Sequence, residues 1–226
     1  MGYKLENKDI RINNINLIGY GVKGNVYKYR REAIKIFPNG VIPEGVIDKE
    51  SCEVLKKIST QAILLPRKTA TYNQQFAGYS LKLVHKNPAH GNIVTMRKDD
   101  LIDSISVLEN DISTLSNNRV LLDGITPNNV LISDQIYITD PSRYTLVYDD
   151  RLNASRLLTF NQFQLYLLLC EMITSGLKKC GVNGAELKKV RRVLNEKDDD
   201  VLPSEYFDSL LDSHSTFKSY VKKRSL

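Results

Sequence analysis

A chain of 226 residues with 42% hydrophobic content and mixed charge can bury a sizeable core, which excludes disorder as its main state and allows one domain or two small lobes. The net charge of +6 invites a nucleic-acid reading, but the basic residues are dispersed. The densest groups, Lys188-Lys189 with Arg191-Arg192 and Lys222-Lys223-Arg224, read as solvated helix faces without aromatic stacking platforms, so no nucleic-acid partner is expected.

The first informative stretch is Leu17 to Phe37, which contains G-x-G-x-x-G-x-V at Gly19, Gly21, Gly24 and Val26, followed by Ala33-Ile34-Lys35. Glycines at this spacing let a backbone approach phosphate closely, because no Cβ intervenes. A dinucleotide site would need a helix directly after them. Here Val26, Tyr27 and Tyr29 favour a strand instead, Arg30-Arg31 reads as a tight turn, and Glu32 to Phe37 as a second strand. The glycines therefore sit in a hairpin that suits a flap over nucleotide phosphates, with Lys35 projecting toward the same phosphates from the neighbouring strand.

This stretch resembles the nucleotide-binding lobe of protein kinases, whose signature is a glycine-rich G-x-G-x-x-G-x-V loop and a V-A-I-K strand. Glu32 stands in place of the first valine of the second motif. The resemblance implies ATP as cofactor, with Val26 and Ala33 covering the adenine and Lys35 holding the α- and β-phosphates. It also implies a glutamate paired with Lys35 from the next helix. Val46 to Ile58 is predicted as that helix, with Ile47, Val54, Leu55 and Ile58 on one stripe. Glu50 falls on the stripe and is the expected partner, with Glu53 in reserve; a different alignment brings Ser51 to that position.

Ile63 to Pro66, then Lys68 to Tyr72 and Phe76 to Val84 around a turn at Asn73-Gln74-Gln75, read as a lead-in and a hairpin. By resemblance Leu81 is the gatekeeper beside the adenine, and Lys82, Leu83 and Val84 form the hinge. Asn87 to Asn92, with Pro88 and Gly91, marks the lobe boundary, giving a lobe over 1–86 and a second over 87–226 within one domain. Leu101, Ile105, Leu108, Ile112 and Leu115 define a strongly amphipathic helix.

A second constellation runs from Val120 to Ile132 and on through Ile136-Tyr137-Ile138-Thr139-Asp140-Pro141-Ser142. Two β-rich runs flank a turn at Ser133-Asp134-Gln135, each bordered by acidic or amide residues. One carboxylate to orient a hydroxyl, and an amide with a second carboxylate to hold Mg²⁺, suit phosphoryl transfer. The pattern looks like the kinase H-R-D-x-x-x-x-N loop followed by D-F-G, with Leu121 and Leu122 in place of histidine and arginine and Pro141-Ser142 in place of phenylalanine and glycine. The resemblance implies Asp123 as the base and Asp140 as a Mg²⁺ ligand. Counting from Asp123 makes Asn128 the second ligand; counting back from Pro127 and Val130 makes it Asn129, which is preferred, with one extra residue bulging the loop.

After Asp140 the match thins, and the A-P-E segment is missing. Thr159 to Ser175 reads as a buried helix, apolar nearly all round but too short and polar to cross a bilayer. Ala185 to Leu194 and Tyr206 to Val221 are predicted as closing helices. Cys52, Cys170 and Cys180 lack paired spacing, His85, His90 and His214 lack metal-ligand spacing, and Met1 to Glu6 shows neither an apolar signal region nor a myristoylation pattern. Reduced thiols and a cytoplasmic location without membrane contact are expected.

The expected fold is α+β and two-lobed like a protein kinase, with a β-rich N-lobe and a reduced helical C-lobe. The expected activity is transfer of the γ-phosphate of ATP to a hydroxyl, with a protein Ser or Thr as acceptor. A nucleotide-binding pseudokinase, a small-molecule kinase on the same scaffold and a nucleic-acid binder are the alternatives.

Overall fold

The computed structural model describes residues 2–38, 41–85, 92–195 and 201–213. The first part of the chain builds a curled antiparallel sheet of seven strands: β1 (Tyr3–Leu5), β2 (Lys8–Ile10), β3 (Leu17–Gly19), β4 (Asn25–Tyr29), β5 (Glu32–Ile36), β6 (Lys68–Tyr72) and β7 (Gln75–Lys82). Their spatial order is β2-β1-β6-β7-β5-β4-β3. Two-residue turns make the tight hairpins. Arg30 at φ 55° closes β4–β5, and Asn73 and Gln74 at φ 50° and 70° close β6–β7. The β1–β2 hairpin, with Glu6 at φ 55°, has no counterpart in the sequence reading; three-residue strands are too short for their alternation to stand out.

Helix α1 spans Lys49–Leu55 rather than 46–58. Asp48 sets its start by accepting a hydrogen bond from the Ser51 amide, so Ile47 lies before the helix and shares no helical phase with Glu50. Helices then dominate: α2 (Lys98–Asn117), α3 (Ala154–Lys179), α4 (Gly184–Leu194) and α5 (Pro203–Ser213). The expected stripe of α2 is buried throughout, from Leu101 to Leu115. Helix α3 is longer than expected and one-sided, because Phe160, Phe163 and Leu167 face outward, about half exposed. Two small antiparallel pairs, β8 (Val120–Leu121) with β11 (Thr145–Leu146) and β9 (Val130–Ile132) with β10 (Ile136–Ile138), lie between α2 and α3 in sequence. Among the described residues, no helix is long and apolar enough to cross a membrane. The expected lobe boundary, apart from Asn92, and residues 214–221 of the last expected helix lie outside the described residues.

One core runs unbroken from the sheet face bearing Phe37, Phe76 and Tyr79, past Leu55 of α1, into α2, α3 and Phe207 of α5. A smaller core of Leu5, Ile10, Ile34, Ile36 and Ala70 fills the opposite face of the curled sheet. Alternation along β5 explains the division, sending Ile34 and Ile36 to one side and Lys35 and Phe37 to the other.

Two buried polar side chains tie segments together, Asp111 between the sheet half and the helical half and Asn161 within the helical half. Asp111 of α2 accepts hydrogen bonds from the amides of Gln61, Ala62 and Ile63, at 2.6–3.0 Å. That segment pairs with β10, since the Ile138 amide donates to Ala62 O at 3.0 Å and the Leu64 amide donates to Ile138 O at 2.8 Å. Asn161 of α3, fully buried, accepts from the Leu122 amide and donates to Ser116 Oγ and Val120 O.

Candidate functional site

Register assembles the site. Gly19, Val26, Lys35 and Tyr79 are directly opposed across β3, β4, β5 and β7, so their side-chain positions form one rung on one face of the sheet. Ala33 and Leu81 form the next rung across β5 and β7. Gly24 adopts φ +141°, where a Cβ would meet Ile36 O at 2.6 Å; only glycine fits this return into β4. The Gly24 amide donates to Gly21 O at 3.1 Å, which tightens the loop tip, and Tyr20 and Val22 at that tip are almost fully exposed. Leu83 is half-buried, and its amide donates to Arg31 O at 3.3 Å.

Lys35 meets Asp140. Its buried Nζ lies 2.8 and 2.7 Å from the two carboxylate oxygens, across a sequence separation of 105 residues. Asp140 gains its position from β10, which ends two residues earlier, and from the short turn Pro141–Arg143 that it caps through the Ser142 amide at 3.1 Å. The Ile47 amide donates to Ser142 O at 2.9 Å, so the segment entering α1 is tied to the same turn. Burial opposes ionisation of Asp140 most strongly, but the charge and hydrogen bonds of Lys35, with the Ser142 contacts, outweigh it and hold the pKa below the usual carboxylate value. Tyr79, fully buried, donates its hydroxyl to Asp140 Oδ1 at 3.3 Å; burial first, and the Asp140 charge second, push its pKa well above the ordinary value.

The expected pairing of Lys35 with Glu50 is not formed. It stands exposed in the first turn of α1, whose buried face is Cys52 and Leu55, and Lys35 binds Asp140 instead. Glu53 pairs with Lys56. Among the described residues the ammonium therefore has Asp140 as its acidic partner, and Tyr79 occupies the rung position next to it.

Asp123 is exposed and paired with Arg143 at 3.4 Å, and the Arg143 guanidinium packs over Gly124, which adopts φ +65°. Asn128 is exposed on the turn Pro127–Asn129, while Asn129 is half-buried. The backbone carbonyl of Asn129 accepts from Thr139 N and Thr139 Oγ1 at 2.8 and 3.0 Å, which sets Asn129 beside the residue preceding Asp140. Carboxylate and side-chain amide oxygens are donors of the kind Mg²⁺ accepts, an ion that takes few protein ligands and draws others from phosphates and water. Among the described residues no cluster of three His, Cys, Asp or Glu side chains could hold a metal by itself. A cleft of about 390 Å³ opens beside Asp123, with Lys23, Asp48, Ser51 and Arg143 on its walls.

Sequence reasoning missed Tyr79, Asp111, Asn161 and Arg143. Asp111 lies between Leu108 and Leu115, and Asn161 between Leu157 and Leu165, all at helical spacing. A polar residue inside an apolar stripe was the available signal. Tyr79 becomes visible only when β5 and β7 are paired, and Arg143 carries no local signal. No protein-family model matches this sequence, and no curated protein matches it either.

Proposed function

We propose that the chain is an ATP-dependent phosphotransferase with a protein-kinase-like two-lobed fold, transferring the γ-phosphate to a hydroxyl of a protein acceptor. The observation that carries this reading is the contact of Lys35 with Asp140 on the sheet face that also bears the glycine hairpin. In this reading the loop amides around Gly19, Gly21 and Gly24 cover the phosphates, and Val26, Ala33 and Leu81 enclose the adenine next to the Leu83 hinge. Lys35 turns from Asp140 to the α- and β-phosphates, while Asp140 and Asn129, with Asn128 as the other candidate, hold Mg²⁺. The ion, when bound, shields charge on the phosphates. Asp123 orients the acceptor hydroxyl at the adjoining cleft and takes its proton.

A second reading, nucleotide binding without turnover, draws support from the Asp123–Arg143 ion pair and from the exposed Glu50, which leave both the base and the lysine without their expected settings. One experiment separates the two. Labelled ATP and Mg²⁺ are incubated with the chain, with and without a generic protein acceptor or small polyols, and the products are read by mass spectrometry. The phosphotransferase reading expects phosphate transfer that is abolished by Lys35→Ala and by Asp140→Ala. Transfer surviving in both variants rejects it. A thermal shift on ATP without turnover selects the second reading, and transfer to polyols alone makes the acceptor a small molecule.

A further inference from the structure

The sheet carries a second concavity on the face opposite Lys35. A cleft of about 580 Å³ lies where the β1–β2 hairpin, the β4–β5 turn and the start of β6 come together. Leu5 and Ile10, both nearly buried members of the smaller core, contribute to its lining. Four exposed cations surround that apolar floor: Lys8, Arg30, Arg31 and Arg67.

The charge around this cleft is uncompensated. Its fifth cation, Lys68, is paired with Glu32 at 2.7 Å, and its other acid, Glu6, is paired with Lys56 at 2.9 Å. Both carboxylates are thus already taken. Among the described residues none of Lys8, Arg30, Arg31 and Arg67 makes an ion pair with an acidic side chain, although Arg30 lies over the Tyr29 ring at 5.5 Å. Folding alone gives little reason to gather them. Like charges around one concavity repel, and a low-dielectric floor strengthens the field inside it. A chain with 32 basic and 26 acidic side chains has acids enough to neutralise such a group, yet these four are left without one.

We infer that this cleft is a binding site for a small, multiply charged anion of the phosphorylated-metabolite type. Guanidinium groups present planar forks of donors that match phosphate oxygens two at a time, and three of the four free cations are arginines. The volume falls within the range of small-molecule sites. A concave site between two hairpins and a strand suits a compact ligand, whereas a bilayer or a nucleic-acid duplex requires an extended surface. The site lies on the other face of the sheet from Lys35 and Asp140, so it is independent of the phosphotransferase reading and stands or falls without it.

The probe is inorganic pyrophosphate, titrated calorimetrically into the full chain without magnesium, at low and at physiological salt. Arg31→Ala/Arg67→Ala removes two exposed cations, and Lys8→Ala provides a second variant at an exposed strand position. Lys35→Met controls for binding in the other site, and matching circular-dichroism melts establish that each variant is folded. The expected result is binding that weakens with salt, falls about tenfold or more in the double arginine variant, falls less in Lys8→Ala, and persists in Lys35→Met. The inference is overturned if the wild-type chain does not bind pyrophosphate, if binding survives in both cleft variants, or if Lys35→Met alone abolishes it. It is equally overturned if a single-stranded oligonucleotide binds through these arginines while pyrophosphate does not.

Discussion

Replacing Asp111 by asparagine tests how the two halves of the molecule are joined. The Asp111 side chain is nearly buried and accepts from three consecutive amides, with Oδ2 taking Gln61, Ala62 and Ile63 at 3.0, 2.6 and 2.8 Å and Oδ1 also receiving Gln61 at 2.8 Å. Asparagine keeps one acceptor and turns an NH₂ group toward the Gln61 amide. A hydrogen bond to a charged group contributes about 1.5–3 kcal/mol and a neutral one about 0.5–1.5 kcal/mol, so three weakened bonds remove about 3 kcal/mol. For a chain of this size that corresponds to a fall of roughly 6–12 °C in Tm. Thermal unfolding followed by circular dichroism measures it. Amide exchange gives a local readout, because the Leu64 and Ile138 amides that bond across this junction should lose protection before those of α2. A Tm within about 2 °C of wild type, with Ile138 still protected, would refute the reasoning.

Tyr79→Phe removes the hydroxyl but preserves the ring in the core. The lost hydrogen bond to the Asp140 carboxylate should cost about 1–2 kcal/mol in urea unfolding, and a neutral result would mean that the 3.3 Å contact contributes nothing. Asp140→Asn addresses pH. Because the folded-state pKa of Asp140 is held below its unfolded value, its stabilising contribution is present above the unfolded pKa and is lost as pH falls through the folded one. The stability gap between wild type and Asp140→Asn should therefore be open at pH 7 and close below about pH 4, and a gap independent of pH would contradict the pairing. Cys52 is fully buried, and burial pushes its thiol pKa up to about 12. It should resist alkylation in the folded chain at pH 8 and react on denaturation, as mass spectrometry of the labelled peptides would report.

Much of the sheet was legible in the sequence because its signals are local. The glycine spacing, the β-branched and aromatic residues after Gly24 and the two-residue gap at Arg30-Arg31 together specify the β3–β4–β5 meander. The stripe from Leu101 to Leu115 was equally readable, since one face of α2 is buried along its whole length. Glu50 was misjudged for a physical reason: Ile47 is buried from a loop, so the helical phase drawn through it placed Glu50 on the wrong side. The sequence order of Lys35 and Asp140 suggested that they act together. Their direct ion pair could not be read from it, because that pairing depends on where β10 and the turn after it bring Asp140 relative to β5.

The unbroken apolar interior limits how this molecule can adapt to whatever it embraces. Swinging the sheet away from the helices would wet side chains such as Phe37, Tyr79, Ile105 and Leu108, a penalty that grows with every square ångström opened. The edge strand β3, like β2 at the other edge, has a neighbour on one flank alone, and it leads into a tip where Val22 is 97% exposed. Opening the molecule at the sheet edges, the β3 awning among them, therefore costs least, while the floor beneath can part only by wetting that interior.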